Sequence, residues 1–558
     1  MCSIEGFTTP QPFTIEQFTK LNKVRGPDDT NFFKDDQVNF GHNLLKISPN
    51  DSPSVQPYVT ENGNVLTYNG EIYGLPEGTW DTKWLADRIE QKGISSLANN
   101  VNGMWAFSWY EPRKGTITLC RDHFGVKPLY YMEQFGDLFF SSTQKPLYAV
   151  LNQDNLLEID KKKSNLFAHS DRFGIGRLTP WAHINRVCPG QIIEYSLDKK
   201  AITKLSSLWD FKKKIDMHLK WDPDEFETIL VKAFNEVYDA GPNLKKTISL
   251  SGGLDSTLIA SVLKDRENLS AVSCSFEDNG HEGSNTYNSY MLSESELAEQ
   301  TAKEFNIPFY KSVVKEKFDT EEAYKALGAP IWDHNRIVPR YETVKKAAQQ
   351  KEKVFIVGDC ADELLTGYNG DFNSFYPRPS HYHNFGKEWL ASRPHGLGDE
   401  YLKYCPINVF GNDWINNVLL WRTMTQGDGF CTVADHLAGS FGMESRVPFL
   451  HQELAMYILS IPGVDKLRVP FNYKDHSMIS PNDNKVVVNR REQRFWRMGN
   501  YKGVLRDHMR KFYPEHVIDR KRKIGFANPW DARDHKKNIK IGKQNLHKVY
   551  NLMKQLTL

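Results

Sequence analysis

The sequence has no run of about 18 apolar residues, so none of its segments is expected to cross a bilayer as a helix. Its start, MCSIEGFTTPQPF, lacks the basic and apolar stretches of a signal peptide. Cysteine is scarce: seven in 558 residues, with no C-x-x-C spacing. Neither a zinc knuckle nor a disulfide framework is therefore expected, and the scatter fits a reducing, cytoplasmic setting. An excess of one charge is also missing. Lys plus Arg number 71 against 69 Asp plus Glu, a net +2, which excludes a polyanion-coating surface and makes nucleic acid an unexpected partner. The basic run Lys536 to Lys543 reads as a solvated tail. There is no internal repeat and no low-complexity segment. What remains, 40% hydrophobic and 25% charged residues, is a globular composition, and the length calls for at least two domains.

The stretch Ser251-Gly252-Gly253-Leu254-Asp255-Ser256 is the most informative. A strand pattern, Lys245 to Leu250, runs into it, and a helical pattern with Leu258, Ile259, Val262 and Leu263 runs out. A strand, a tight Gly-Gly turn and a helix start form an anion site, because free N–H groups and the helix dipole point at the same place. There is no G-K-[ST] ending, so no lysine of the loop reaches the phosphates, and Asp255 is suited to hold Mg²⁺ against a pyrophosphate. The hexapeptide in this setting resembles the PP-loop of ATP pyrophosphatases, which cleave ATP to AMP and pyrophosphate.

Strands alternating with helices surround the loop: Asp224 to Tyr238 helical, Leu269 to Phe276 extended, Phe309 to Val314 extended and Lys353 to Val357 extended. That order predicts a doubly wound parallel sheet whose ligands bind beyond the carboxyl ends of its strands. Leu250 to Ser256, Phe276, Val357 and Gly358 all fall there. Asp359-Cys360-Ala361-Asp362-Glu363 then places carboxylates beside the loop, with Asp362 and Asp255 as the expected Mg²⁺ ligands.

The first two hundred residues differ. Gln37 to Ile47, Tyr58 to Tyr73, Met104 to Asp122 and Leu129 to Ser142 read as strands, with a hairpin at Asn62-Gly63 and a helix over Trp80 to Gln91. Gln191 to Ser196 is read as the strand completing the first domain. If the initiator Met is removed, the α-amine of Cys2 lies beside its own thiol and can serve as its base. Cys2-Ser3-Ile4, Arg25-Gly26-Pro27-Asp28, Asn69-Gly70-Glu71-Ile72-Tyr73 and Arg121 to Tyr130 occur in this order. The series resembles the class II glutamine amidotransferase domain of glutamine-hydrolysing asparagine synthetases.

The resemblance continues through Gly358 to Glu363, Met443 to Leu450, Lys502-Gly503-Val504-Leu505-Arg506 and Lys523-Ile524-Gly525-Phe526. It implies an N-terminal αββα N-terminal-nucleophile sandwich over 1–205 and a PP-loop synthetase domain with extra helices over 220–558, divided at the charged segment Asp210 to Lys220. It implies Cys2 as nucleophile, Asn69 and Gly70 as oxyanion donors, and Asn69, Gly70, Glu71 and Asp81 as the glutamine site. It further implies ATP at the loop with Lys523 closing over pyrophosphate, Lys502 stabilising the developing charge, and Asp359 as acid–base group toward ammonia. The expected reaction makes asparagine, glutamate, AMP and pyrophosphate from aspartate, glutamine and ATP, with small molecules as partners and a homodimer left open. Plainer readings stand beside several of these: Asp81 as a helix N-terminal acid, Arg25 to Asp28 as a turn, Glu444 and Arg446 as a buried ion pair. Three departures from the family pattern, Leu44 for an arginine, Cys360 for a glycine and His451 for an aspartate, leave open another carboxylate acceptor or use of ammonia alone.

Overall fold

The computed structural model describes residues 2–9, 11–47, 55–76, 78–98, 101–164, 176–209, 219–241, 243–277, 288–315, 320–329, 334–367, 409–410, 413–466, 471–472, 477–479, 486–487, 502–518 and 546–558. Twelve strands precede residue 208: β1 (Ser3–Thr8), β2 (Asp29–Lys34), β3 (Val38–Leu44), β4 (Tyr58–Val59), β5 (Val65–Ile72), β6 (Gly103–Glu111), β7 (Thr116–Arg121), β8 (Tyr130–Gln134), β9 (Asp137–Ser141), β10 (Asn185–Arg186), β11 (Gln191–Ser196) and β12 (Ala201–Ser207). They form two six-stranded sheets, ordered β10-β8-β9-β1-β3-β2 and β12-β11-β7-β6-β5-β4, and every pairing within them is antiparallel.

Side-chain alternation explains the layering. In β6 the odd residues Trp105, Phe107 and Trp109 face a cluster shared with the helix Asp81–Lys92, while Ala106 and Tyr110 face the layer between the sheets. A strand buried on both faces shows no polar alternation, which is why Met104 to Tyr110 is almost continuously apolar. In β1, Ile4 points into the same inter-sheet layer. Phe7 points out, against Phe13 and against Phe18 of the helix Ile15–Lys20, with ring centroids 5.0 and 5.6 Å away. Helices thus cover both sheets, giving an αββα sandwich. The sandwich runs one strand past the sequence reading, since β12 pairs with β11 beyond Ser196.

A five-stranded parallel sheet follows, with β13 (Lys246–Ser249), β14 (Leu269–Phe276), β15 (Phe309–Val314), β16 (Val354–Ile356) and β17 (Glu444–Arg446) in the order β15-β14-β13-β16-β17. β14 is buried along its whole length, as a strand covered by helices on both faces must be. The chain winds outward from β13 through β14 and β15, then returns to the other side of β13 at β16. That reversal opens a crevice between the ends of β13 and β16. β17 was not foreseen: three residues inside a motif carry too little periodicity to read as a strand. The helix Pro223–Asp239 that leads into the sheet starts on Asp222, whose Oδ1 accepts the N–H groups of Asp224 and Glu225, with proline at the first turn. Residues 210–218, most of the charged dividing segment, and the basic run Lys536 to Lys543 lie outside the described residues.

The two parts share one apolar core. A single cluster holds Phe124 and Val126 from the sandwich together with Leu437, Ala438, Met443 and Val447. Within that contact lies a set of buried charges. Arg25 Nη2 donates to Asp435 at 2.7 Å, Arg121 and Arg186 donate to Asp428 at 2.9 and 2.5 Å, and Lys127 donates to Glu444 at 3.3 Å. In these four pairs the cation comes from the sandwich and the carboxylate from the second part, chiefly the helix Asp428–Gly439. Removing one partner of such a buried pair strands the other without water, a cost of about 3–5 kcal/mol. Asp428→Ala, which strands two arginines, should therefore lower stability by at least that much in a urea titration, whereas replacing an exposed acid such as Glu16, paired to Lys34, should change it by less than about 1 kcal/mol.

Candidate active sites

The first site forms where β1 and β5 meet across the sandwich. Cys2 precedes β1. Its Sγ accepts the N–H of Leu45 at 3.5 Å, and its carbonyl accepts Arg25 Nε at 3.3 Å. Arg25 is thus a bracket between the cysteine backbone and Asp435 rather than only a turn residue. Burial pushes the Cys2 thiol up to about 11, against the lowering by the Leu45 N–H, so the thiol needs a base to become a nucleophile near neutrality.

Asn69 lies on β5 opposite Ala106 of β6 and is 1% exposed. Its Oδ1 and Nδ2 are both buried without a hydrogen-bond partner among the described residues. An amide held dry and unsatisfied costs stability, and such a group is expected where a ligand will complete it. Gly70 has no room for a side chain, since a Cβ would sit 2.2 Å from the Met104 carbonyl oxygen. Glu71 lies 3.6 Å from Arg446 of the second part, and burial raises its pKa well above the usual range despite that cation. Asp81 heads the helix Asp81–Lys92, and its Oδ2 accepts the Tyr68 hydroxyl at 3.0 Å. Leu44 is buried, and Lys46 is exposed with its backbone N–H bonded to Asp28.

The second site fills the crevice at β13 and β16. The backbone N–H of Ser251 donates to Ser256 Oγ at 3.1 Å, closing the loop on itself. Gly252 has φ +66°, and a Cβ there would lie 2.8 Å from Leu297 Cβ, so only glycine makes this turn. The helix Leu254–Leu263 starts immediately after, with Asp255 in its first turn. Leu250 and Phe276 are buried at the strand ends, as is Val357, whose N–H donates to the Arg446 carbonyl at 3.0 Å. Gly358 packs on the loop, where a Cβ would sit 3.2 Å from both Asp255 Cβ and the Ser256 nitrogen.

Lys502, about 250 residues further along the chain, meets this loop. Its Nζ is buried, contacts Asp255 Oδ1 and lies 2.6 Å from Asp362 Oδ1. Its backbone N–H donates to Thr366 Oγ1 at 3.3 Å. Burial presses the lysine pKa down, but the two carboxylates outweigh it and hold Lys502 charged above the ordinary lysine range. Two carboxylates converging on one point beside a phosphate-type loop fit Mg²⁺, which takes few protein oxygens and completes its shell with phosphate and water. Among the described residues no group of three or more His, Cys, Asp or Glu forms a self-sufficient metal cage.

Asp359, the acid–base group expected toward ammonia, has a partner of its own. Both its oxygens are taken by Arg340, at 2.8 and 2.6 Å, in a fork-to-fork pair. Arg340 lies in the helix His334–Gln349 and was invisible in the sequence, being one basic residue among many on a helix. Cys360, at φ +70°, is buried with its Sγ 3.8 Å from Cys431 Sγ. Glu444 and Arg446 form the buried ion pair of the plainer reading, at 2.8 Å, and Lys127 joins it. His451 Nε2 lies 2.9 Å from Glu236 Oε2. Lys523 and the segment following it lie outside the described residues.

Residues 244–541 match the family described as asparagine synthase, and residues 1–207 match a glutamine amidotransferase domain. The asparagine synthetase (glutamine-hydrolyzing) 1 of Bacillus subtilis (strain 168) is 27% identical over 394 residues, 65% of this chain and 57% of the relative, less than two thirds of its length. The asparagine synthetase (glutamine-hydrolyzing) 3 of the same organism is 21% identical over 540 residues, 84% of this chain and 82% of that protein. Amidase chyE of Penicillium rubens (strain ATCC 28089 / DSM 1075 / NRRL 1951 / Wisconsin 54-1255) is 21% identical over 66% of this chain and 56% of its own.

Two substitutions separate the sites. On the reading proposed below, in which Asn69 is an oxyanion donor, Asn69→Ala should cut glutamine hydrolysis about 10²–10³-fold and leave pyrophosphate release supported by ammonium intact. Lys502→Met should do the reverse, which parallel assays of glutamate and pyrophosphate would read directly.

Proposed function

The chain belongs to the asparagine synthase family, and from that premise we propose that it is a glutamine-dependent, AMP-forming amide ligase acting on aspartate. The observation that carries the reading is the meeting of Asp255, Asp362 and Lys502 at the loop between β13 and β16. A carboxylate oxygen of the acceptor attacks the α-phosphorus of ATP and pyrophosphate leaves. The negative charge gathered in that step falls against Lys502 and the N-terminal end of the helix Leu254–Leu263. Asp255 and Asp362 would hold Mg²⁺, which neutralises the phosphates when bound. Lys523 is the second cation assigned to the pyrophosphate.

In the amidotransferase site, Cys2 Sγ attacks the glutamine amide carbon after passing its proton to its own α-amine, once Met1 is removed. An α-amine of pKa near ~8 suits that role, because burial holds the thiol above its ordinary range. The oxyanion is met by the Asn69 amide and the Gly70 N–H, ammonia leaves with the proton, and water cleaves the thioester. Asp81 is the group for the glutamine α-ammonium, with Glu71 beside it in the glutamine site. Ammonia then displaces AMP from the acyl adenylate. We place the domain boundary between 207 and 220, after the last sandwich strand and before the helix Pro223–Asp239. The six described cysteines are all free, which supports a cytoplasmic setting.

A second reading, use of ammonia alone, is favoured by one feature: the buried, uncharged Leu44, with Lys46 exposed rather than standing in for a buried cation. Cys2→Ala decides between them. In the primary reading it abolishes glutamine-supported asparagine formation and spares the ammonium-supported rate. Equal rates with and without Cys2 would leave the sandwich without chemistry.

A further inference from the structure

Asp359 sits where the amidation reading needs a group to receive a proton, yet Arg340 occupies both of its oxygens. The pair is unlike the buried bridges of the domain contact. Those side chains are at most 4% exposed for Arg121, Arg186 and Asp428, whereas Arg340 is 26% exposed and Asp359 14%. Asp359 follows Gly358, which lies against Asp255 and Ser256, so the pair borders the adenylation site itself. The flat face of Arg340 is backed by Phe430, 5.3 Å from the ring centroid, which aims the guanidinium and leaves its fork to a carboxylate.

Resting on the amidation reading, we infer that Arg340 selects the acceptor. It binds the acceptor carboxylate that is not adenylated, exchanging it for Asp359, and the exchange frees Asp359 for the ammonia step. The exchange is between two carboxylates of equal charge and geometry, and it occurs only for an acceptor with a second carboxylate. Once released, Asp359 takes the proton that nitrogen loses. Ammonia forms the C–N bond at the acyl carbon, the C–O bond to AMP breaks, and the proton rests on the Asp359 carboxyl. An acceptor without the second carboxylate leaves the pair closed and the base occupied. Arg340 is a positioning and selecting residue; it touches no reacting atom.

The test compares aspartate with β-alanine, which is aspartate without its α-carboxylate, in ammonium-supported pyrophosphate release. Arg340→Ala should raise the KM for aspartate about tenfold or more, toward the β-alanine value, and leave the β-alanine KM unchanged. Asp359→Asn should move the aspartate KM the opposite way, downward, because the competing charge is gone, while kcat falls. Arg340→Lys, which keeps the charge and loses the fork, should give an intermediate KM, and it takes the place of Arg340→Ala if that variant loses glutamine hydrolysis through misfolding. A change shared equally by both acceptors, or none, would overturn the selecting role while leaving the amidation reading intact. If the unmodified chain releases no pyrophosphate with aspartate, the amidation reading falls and this inference with it.

Discussion

Everything in this molecule depends on a buried electrostatic contact between its two parts. Four basic side chains of the sandwich, Arg25, Arg121, Lys127 and Arg186, enter a core and meet three carboxylates of the second part, Asp428, Asp435 and Glu444. Out of water, such charges are tolerable only when paired, and each pair fixes a distance and a direction as well as a sign. An apolar interface could slide; this one has a register. Arg25 carries that register to the Cys2 carbonyl, and Arg446 carries it from β17 to Glu71.

The helix Asp428–Gly439 links the two candidate sites. Asp428 and Asp435 face the sandwich, while Cys431 lies against Cys360 of the loop that follows β16. It continues from a five-residue π-helical segment, Thr423–Gly427, which interrupts the helix beginning at Trp414. Such bulges shift the phase of a helix and often mark sites where geometry is set by function. Here the shift presents carboxylates to one neighbour and a small buried thiol to the other.

Much of this was legible in the sequence, for identifiable reasons. The expected bounds of β14, β15 and β11 agree with the structure to the residue, because turn residues precede each strand: Asn268, Pro308 and Pro189-Gly190. The phosphate-type loop was legible because tight turns restrict composition, and Gly252 shows the restriction in its φ of +66°. Contacts that join distant positions were not. Lys502 was singled out by resemblance alone, and nothing local says that it meets Asp255. Arg340 gives no signal, since a lone arginine on a helix has no pattern, and the sequence offers Asp359 as an acid–base group without showing its partner. The segments Arg25 to Asp28 and Glu444 to Arg446 looked like a turn and an ion pair. Both readings hold locally, and what they missed is that the two segments work on opposite sides of one contact.

The central claim is that one chain makes an electrophile at Lys502 and a nucleophile at Cys2 and joins them in one product. Mass spectrometry of the products from aspartate, ATP and amide-¹⁵N glutamine tests it most directly. The predicted result is ¹⁵N in the side-chain amide of asparagine, with AMP, pyrophosphate and glutamate formed in equal amounts. Glutamate formed without labelled asparagine, or ATP cleaved to ADP and phosphate, would contradict it.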